Sequence, residues 1–156
     1  KESYKFLYKW EPFWDIEQCN KSNYMKQLRL QISKAAYDQG YSFLCFKKNS
    51  KELVGGINIS NVQRSVIQTC NIGYWLGESH IKKGYMEESM RSIIPYIFKN
   101  LKINRIQALT LENNFSSRKL LEKIGFKNEG VLRKAMKINN IWEDHILYAL
   151  LNNDNS

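Results

Sequence analysis

Apolar and polar positions change period several times along this chain, and each change marks an element. Between Ser22 and Gly40, Tyr24, Leu28, Ile32 and Ala35 or Ala36 recur every three to four residues, which predicts a helix with Ser22 as start signal and Gly40 as stop. From Tyr41 the pattern is that of strands. Ser42 to Lys47 is aromatic-rich, Lys48 to Lys51 is a polar turn, and Leu53 to Ser60 alternates around Gly55 and Gly56, so a hairpin is predicted. Thr69 to Leu76, TCNIGYWL, reads as another strand, in which Gly73 permits a bulge or the close approach of a second backbone. The strongest helical signal follows. Met86, Met90, Ile93, Ile94, Ile97, Phe98 and Leu101 form one stripe at the helical period, interrupted by Pro95, which predicts a kink or an early end.

Arg105 to Leu111 is a strand by composition, and Asn113-Asn114 then lead into a short helix from Ser116 to Ile124, stopped by Gly125 in the left-handed capping role. Gly130 to Leu151 reads as two strands around a turn at Asn139-Asn140. Ahead of all this, Phe6, Tyr8, Trp10, Phe13 and Trp14 form an aromatic patch with no regular period. Strands with interspersed helices predict an α+β fold, or α/β with a mixed sheet. At 156 residues with 43% hydrophobic and 25% charged content, residues 1–156 are expected to form a single domain with its own core. No apolar run is long enough for a membrane-spanning helix, so a soluble protein with no membrane partner is expected. The opening KESYKFLYKW starts at Lys1 and lacks a signal-peptide layout, so the true start is expected upstream.

Charge and the rarer residues narrow the chemistry. With 24 Lys and Arg against 15 Asp and Glu, the net +9 attracts anions: nucleic acid, the ribosome or a phosphate-bearing cofactor. Cys19, Cys45 and Cys70 are odd in number and far apart, which argues against a disulfide scaffold or a zinc site and fits a reducing cytoplasm. His80 and His145 sit in no metal-binding frame; His80 reads as a surface loop residue and His145 as part of a structural block. No metal is expected.

Two segments suggest a site. Ile81-Lys82-Lys83-Gly84-Tyr85-Met86 lies between a strand and the long helix, where a glycine turn and a helix N-terminus can present backbone N–H groups to a phosphate. An ordinary glycine turn with solvated lysines explains this segment equally well. Asn114 to Phe126 opens a second helix after a second strand, and its capping residues alone would explain Asn114 and Ser117. Two helix starts beside neighbouring strands can make one cleft.

These blocks resemble the GNAT acetyltransferases, and most specifically their RimJ/RimL-type, ribosomal-protein N-terminal branch. The resemblance rests on Ile72-Gly73-Tyr74-Trp75-Leu76, on Lys83-Gly84-Tyr85-Met86, on Asn114, Ser117 and Leu120 through Phe126, and on Trp142, Asp144, His145 and Tyr148 through Leu151. A looser likeness extends through Leu53-Val54-Gly55, Ser60-Asn61-Val62 with Arg64, and Lys9-Trp10-Glu11-Pro12, and favours the alanine-specific type.

The resemblance implies a central mixed, mostly antiparallel sheet flanked by helices. The family's parallel fourth and fifth strands, here Thr69 to Leu76 and Arg105 to Leu111, would splay apart, and its opening strand would be missing here. It implies acetyl-coenzyme A as cofactor. Its thioester carbonyl would meet a backbone N–H near Trp75 or Leu76, its pyrophosphate would lie on Lys82, Lys83, Gly84, Tyr85 and Met86, and Asn114 would bond to the pantetheine or acceptor side. Ser117 would protonate the departing sulfur, and Glu112 is the nearest acidic candidate for a general base. The family pattern differs at Ile81, where it has Arg or Gln, and at Leu121, where many members carry a tyrosine.

A protein N-terminus is the easier acceptor, because an α-amine titrates at about 7.7 to 8.0 and a lysine at about 10.4. The resemblance implies as partner a protein N-terminus, that of a ribosomal protein with N-terminal alanine, with the basic surface available to the ribosome and the enzyme a monomer or homodimer. The alternatives are a GNAT enzyme acetylating a small amine such as a polyamine or aminoglycoside, and a non-catalytic basic ribosome- or RNA-binding module.

Overall fold

The computed structural model describes residues 2–155. In chain order its elements are α1 (Tyr4–Leu7), α2 (Lys21–Ala36), β1 (Tyr41–Phe46), β2 (Leu53–Gln63), β3 (Thr69–Leu76), α3 (Tyr85–Lys99), β4 (Arg105–Leu111), α4 (Phe115–Lys123), β5 (Lys127–Ile138) and β6 (Ile141–Leu151). The strands form one sheet in the order β1-β2-β3-β4-β6-β5. Every neighbouring pair is antiparallel except β3 and β4. The mixed α+β sheet expected from the sequence is therefore present, with the predicted hairpin at β1 and β2. Among the described residues no strand precedes β1, which forms one edge. The predicted turn joins β5 to β6 through Asn139 and Asn140, both left-handed at φ 47° and 69°, as a two-residue hairpin of this hand requires.

The α3 stripe forms the core expected of it. Met86, Met90, Ile94, Ile97 and Phe98 are buried against Ile57, Ile59, Cys70, Ile72 and Ile106 of the sheet. Each such side chain contributes about 1.5–3 kcal/mol on burial. That contact carries α3 past Pro95 to Lys99, so the early end does not occur. The paired glycines of β2 have a packing reason. A Cβ on Gly56 would lie 2.8 Å from Trp75 Nε1, and one on Gly55 would collide with the Trp75 carbonyl oxygen. Only glycine lets β3 lie this close.

Three expectations need correction. Gly73 is neither a bulge nor a close approach: open space lies where its Cβ would be, and the β2–β3 irregularity falls between Ser60 and Gln63. Helix α2 starts after Asn20, whose side chain accepts the Asn23 N–H at 3.0 Å, and it ends at Ala36 with Asp38 left-handed at φ 55°, ahead of Gly40. Its apolar stripe is not a core face, since Tyr24 and Ile32 are 55% and 61% exposed. His80 is buried, with Nε2 3.2 Å from Glu52 Oε1 and its ring edge-on to Tyr85, because the 3-10 turn Glu78–His80 folds it back toward β2. Among the described residues no helix is long and apolar enough to cross a membrane.

Asp38 closes this half of the molecule. Arg64 Nε and Nη2 donate to its two oxygens at 2.6 Å, Tyr41 donates at 2.7 Å, and Arg64 Nη1 donates to the Leu101 carbonyl. The Arg64 hydrogen bonds hold the Asp38 carboxyl below its ordinary range, and the same carboxylate pushes Tyr41 up to about 12. A depressed carboxylate contributes stability that is present above its unfolded value of about 3.9 and is lost as pH falls through the folded value. Thermal melts of the wild type and Asp38→Asn should therefore differ most near neutral pH and converge below about pH 4. A gap independent of pH would refute this role for Asp38.

Candidate active site

The site begins where a ladder stops. β3 and β4 pair only through Thr69 with Arg105, Cys70 with Ile106 and Asn71 with Gln107. Beyond Asn71 the strands part, and the gap opens into a cleft of about 1300 Å³ that runs between α3 and α4 and reaches the N-terminal aromatic segment. The ladder phase fixes which amides face it. Gly77 N–H donates to the Val54 carbonyl at 2.9 Å, and Trp75 lies opposite Gly56. Main-chain groups alternate sides along a strand, so Trp75 and Gly77 turn toward β2 while Tyr74 and Leu76 turn their N–H groups into the gap.

At one end of the cleft stands the head of α3. Gly84 occupies the N-cap with φ +82°, no side chain caps the helix, and open space lies where a Gly84 Cβ would be. The first-turn N–H groups, at Tyr85, Met86 and Glu87, thus have neither a helical nor a side-chain partner, and the helix dipole adds positive potential there. Lys82, Gly84 and Met86 line the cleft, as do Lys119 and Lys123 of α4. This is the geometry a diphosphate needs, and the residues present fit one. Lys83 and Tyr85 do not turn their side chains to it. Lys83 Nζ donates to the Ser79 carbonyl at 2.7 Å, and the Tyr85 ring packs near His80 and under Lys47.

In the middle lie Ser117 and Asn114. Asn114 caps α4, its Oδ1 accepting the Ser117 N–H at 3.2 Å, and Ser117 Oγ is 2.8 Å from the Tyr74 hydroxyl. Burial pushes the Tyr74 phenol up to about 12, so it stays protonated and can donate at neutral pH. Glu112 is exposed and does not line the cleft; its carbonyl accepts from Arg118 Nη1 at 3.0 Å. It follows the last β4 residue, and the chain has turned away there, with Asn114 N–H closing onto the Leu111 carbonyl.

Three contributors escaped the sequence analysis. Tyr74 shares one side of β3 with Ile72 and Leu76, and that period of two was the available signal. His145 is buried and lines the cleft, with Nδ1 3.1 Å from the Glu143 carbonyl oxygen. A carbonyl can only accept, so Nδ1 carries a proton. Glu11 lines the cleft within an aromatic wall that includes Trp10, Phe13 and Trp14. Nothing local in the sequence places that irregular segment across the strand ends.

A split parallel pair, an uncapped helix head and a hydroxyl pair between them describe an acyltransferase of the coenzyme A-binding kind, and comparison with known proteins agrees. The family model described as the acetyltransferase (GNAT) domain matches residues 3–127. The chain belongs to the GNAT acetyltransferase family, and its cofactor is acetyl-coenzyme A. Over 155 residues it is 35% identical to the ribosomal protein uS5-alanine N-acetyltransferase of Escherichia coli (strain K12), covering 98% of this chain and 79% of that one. It is 41% identical over 117 residues to the Bacillus subtilis (strain 168) protein named Probable N-acetyltransferase YjcK, a match that covers 75% of this chain and 65% of that protein's length. The crystal structure of ribosomal-protein-S5-alanine acetyltransferase from Vibrio fischeri superposes with a TM-score of 0.92 at 28% identity, covering 98% of this chain and 84% of that one.

A diphosphate seated on the head of α3 predicts that Gly84→Asp abolishes coenzyme A binding in calorimetry, through charge and crowding against the phosphates. Gly84→Ala should bind with a smaller loss and unfold about 1–2 kcal/mol more easily, the cost of a left-handed alanine. Undiminished affinity in the aspartate variant would put the diphosphate elsewhere.

Proposed function

We propose that this protein transfers the acetyl group of acetyl-coenzyme A to the N-terminal α-amine of a protein, and that its acceptor is a ribosomal protein beginning with alanine. The observation that carries this reading is a single cleft lined both by lysines and the bare amides at the head of α3 and by the aromatic N-terminal segment. Acetyl-coenzyme A supplies an acetyl group activated as a thioester. In this reading the Leu76 N–H donates to the thioester carbonyl, a fixed donor aimed where negative charge develops. The amides of Tyr85 and Met86 with Lys82 hold the diphosphate, and Asn114 offers its side-chain amide to the pantetheine. Ser117, hydrogen-bonded to Tyr74, gives its proton to the departing sulfur, and Tyr74 can replace it.

Relatives named for ribosomal-protein acetylation support the acceptor class. So does proton availability, since about a tenth of an α-amine is already neutral near pH 7. A polyamine or aminoglycoside carries several positive charges and calls for several free carboxylates. Among the described residues the acids lining the cleft are Glu11 and Glu87, and Glu87 is already bonded to Lys123 at 2.6 Å and to Arg91 at 3.2 Å. A flat basic module for RNA would have no use for so deep a cleft. An enzyme acting on ribosomal proteins would work in the cytoplasm, and the relatives named for that action support this reading.

Incubation with acetyl-coenzyme A and peptides beginning with Ala, Ser or Met should add about 42 daltons to the N-terminal residue by tandem mass spectrometry, the mass that exchange of one amine hydrogen for acetyl requires, with the alanine peptide modified fastest. Acetylation confined to lysine side chains or spermidine would overturn the reading. Ser117→Ala should lower kcat on the order of 10²-fold, as loss of a general acid does, while the KM for acetyl-coenzyme A stays within about twofold. Unchanged kcat would remove Ser117 from proton transfer.

A further inference from the structure

The N-terminal segment is fastened to the rest of the molecule at two points, Ser3 and Tyr8. Ser3 Oγ accepts the Glu78 N–H at 3.0 Å just beyond β3, and Asn139 Nδ2 donates to the Tyr8 carbonyl at 2.6 Å in the turn between β5 and β6. Within it the Tyr4 and Trp14 rings meet edge to face at 4.7 Å, and Trp14 Nε1 donates to Glu11 Oε2 at 3.1 Å. Glu11 is thereby held in place beside Trp10 and Phe13 on the cleft wall.

What sets Glu11 apart is what it lacks. Among the described residues no Lys, Arg or His is paired with it, and its other oxygen, Oε1, has no hydrogen-bond partner. The cleft's other carboxylate, Glu87, is engaged by Lys123 and Arg91; of the cleft-lining lysines, Lys82 precedes the head of α3, Lys123 is tied to Glu87 in its first turn, and Lys119 lies midway along α4. A half-buried carboxylate without a cation is costly, and the arrival of one repays the cost. Aromatic faces around it favour a cation further. The cleft therefore holds, besides the lysines and bare amides that fit a diphosphate, one fixed carboxylate that no cation among the described residues neutralises.

We infer that Glu11 recognises the α-ammonium of the acceptor through Oε1 and takes its first proton. This rests on the reading of the acceptor as an amine-bearing chain end. The ammonium gives one proton to the Glu11 carboxylate and becomes a neutral amine. Its nitrogen lone pair then forms the new C–N bond as the C–S bond breaks. A second proton from that nitrogen balances the one delivered to sulfur, and Glu11 returns its own to water. The products are an amide, a free thiol and one proton. Burial already raises the Glu11 carboxyl above its ordinary value, which makes it a better proton acceptor than an exposed glutamate.

The test measures binding and turnover separately. The protein saturated with coenzyme A, which cannot react, is titrated with an alanine-initiated peptide and with the same peptide N-formylated. The wild type should prefer the free amine at least tenfold. Glu11→Gln preserves shape and the Trp14 hydrogen bond, and should erase that preference while leaving coenzyme A affinity and the melting temperature unchanged; Glu11→Asp should restore part of it. In turnover with acetyl-coenzyme A, Glu11→Gln should raise the KM for the peptide at least tenfold. Equal binding of the free and formylated peptides, a preference that survives in Glu11→Gln, or no binding of either peptide would overturn the assignment. A wild-type protein that prefers the free amine through Glu11 yet adds no acetyl group to it would instead overturn the proposed acceptor and leave the ammonium site standing.

Discussion

The parting of β3 from β4 after three residue pairs is the constraint on which the rest depends. A strand that leaves its neighbour strands its own N–H groups, which is normally costly. Here each strand is secured on its outer side. β3 is locked to β2 by the approach that Gly55 and Gly56 permit, and β4 is paired with β6 along its whole length, from Arg105 with Leu151 to Leu111 with His145. Neither strand can close the gap without giving up those ladders. The Leu76 N–H is consequently presented to the gap by the fold itself, before any ligand arrives.

The two helices that follow the split strands complete the arrangement. α4 starts after the three residues that follow β4, and α3 after the 3-10 turn that follows β3, and residues at both heads line the same cleft. The two heads differ chemically. Gly84 leaves α3 bare, whereas Asn114 caps α4 and so fixes Ser117 within 2.8 Å of Tyr74. One head suits an anion and the other positions a proton donor. The N-terminal segment contributes the third wall and the only acid on it, held from β3 on one side and from the β5–β6 turn on the other.

Much of this was legible in the sequence, and the misses share a cause. The bounds of β3 and β4, the α3 stripe, the Gly125 stop and the Asn139-Asn140 turn depend on residues close together in the chain. Helix α2 misled because its period is genuine while its apolar face has no sheet to cover: local pattern predicts a helix, and only packing decides which face is buried. Gly73 misled similarly, since a glycine beside open cleft looks the same in sequence as a glycine under a crowded backbone. Glu112 attracted attention by its place next to Asn114, and Glu11 was passed over because it lies more than a hundred residues away from the other helix head.

The chain by itself thus determined the elements, their ends and, through the resemblance of four short blocks, the family. Those depend on backbone preference and hydrophobic period, which act over a few residues. Tertiary structure alone decided which amides face the gap, that Tyr74 rather than a more distant group partners Ser117, and that one carboxylate near the start of the chain meets the cleft without a cation. Such relations join β2 to β3, α4 to β3 and the first dozen residues to the last hairpin, and no local signal encodes a contact whose two halves are fixed by separate parts of the sheet.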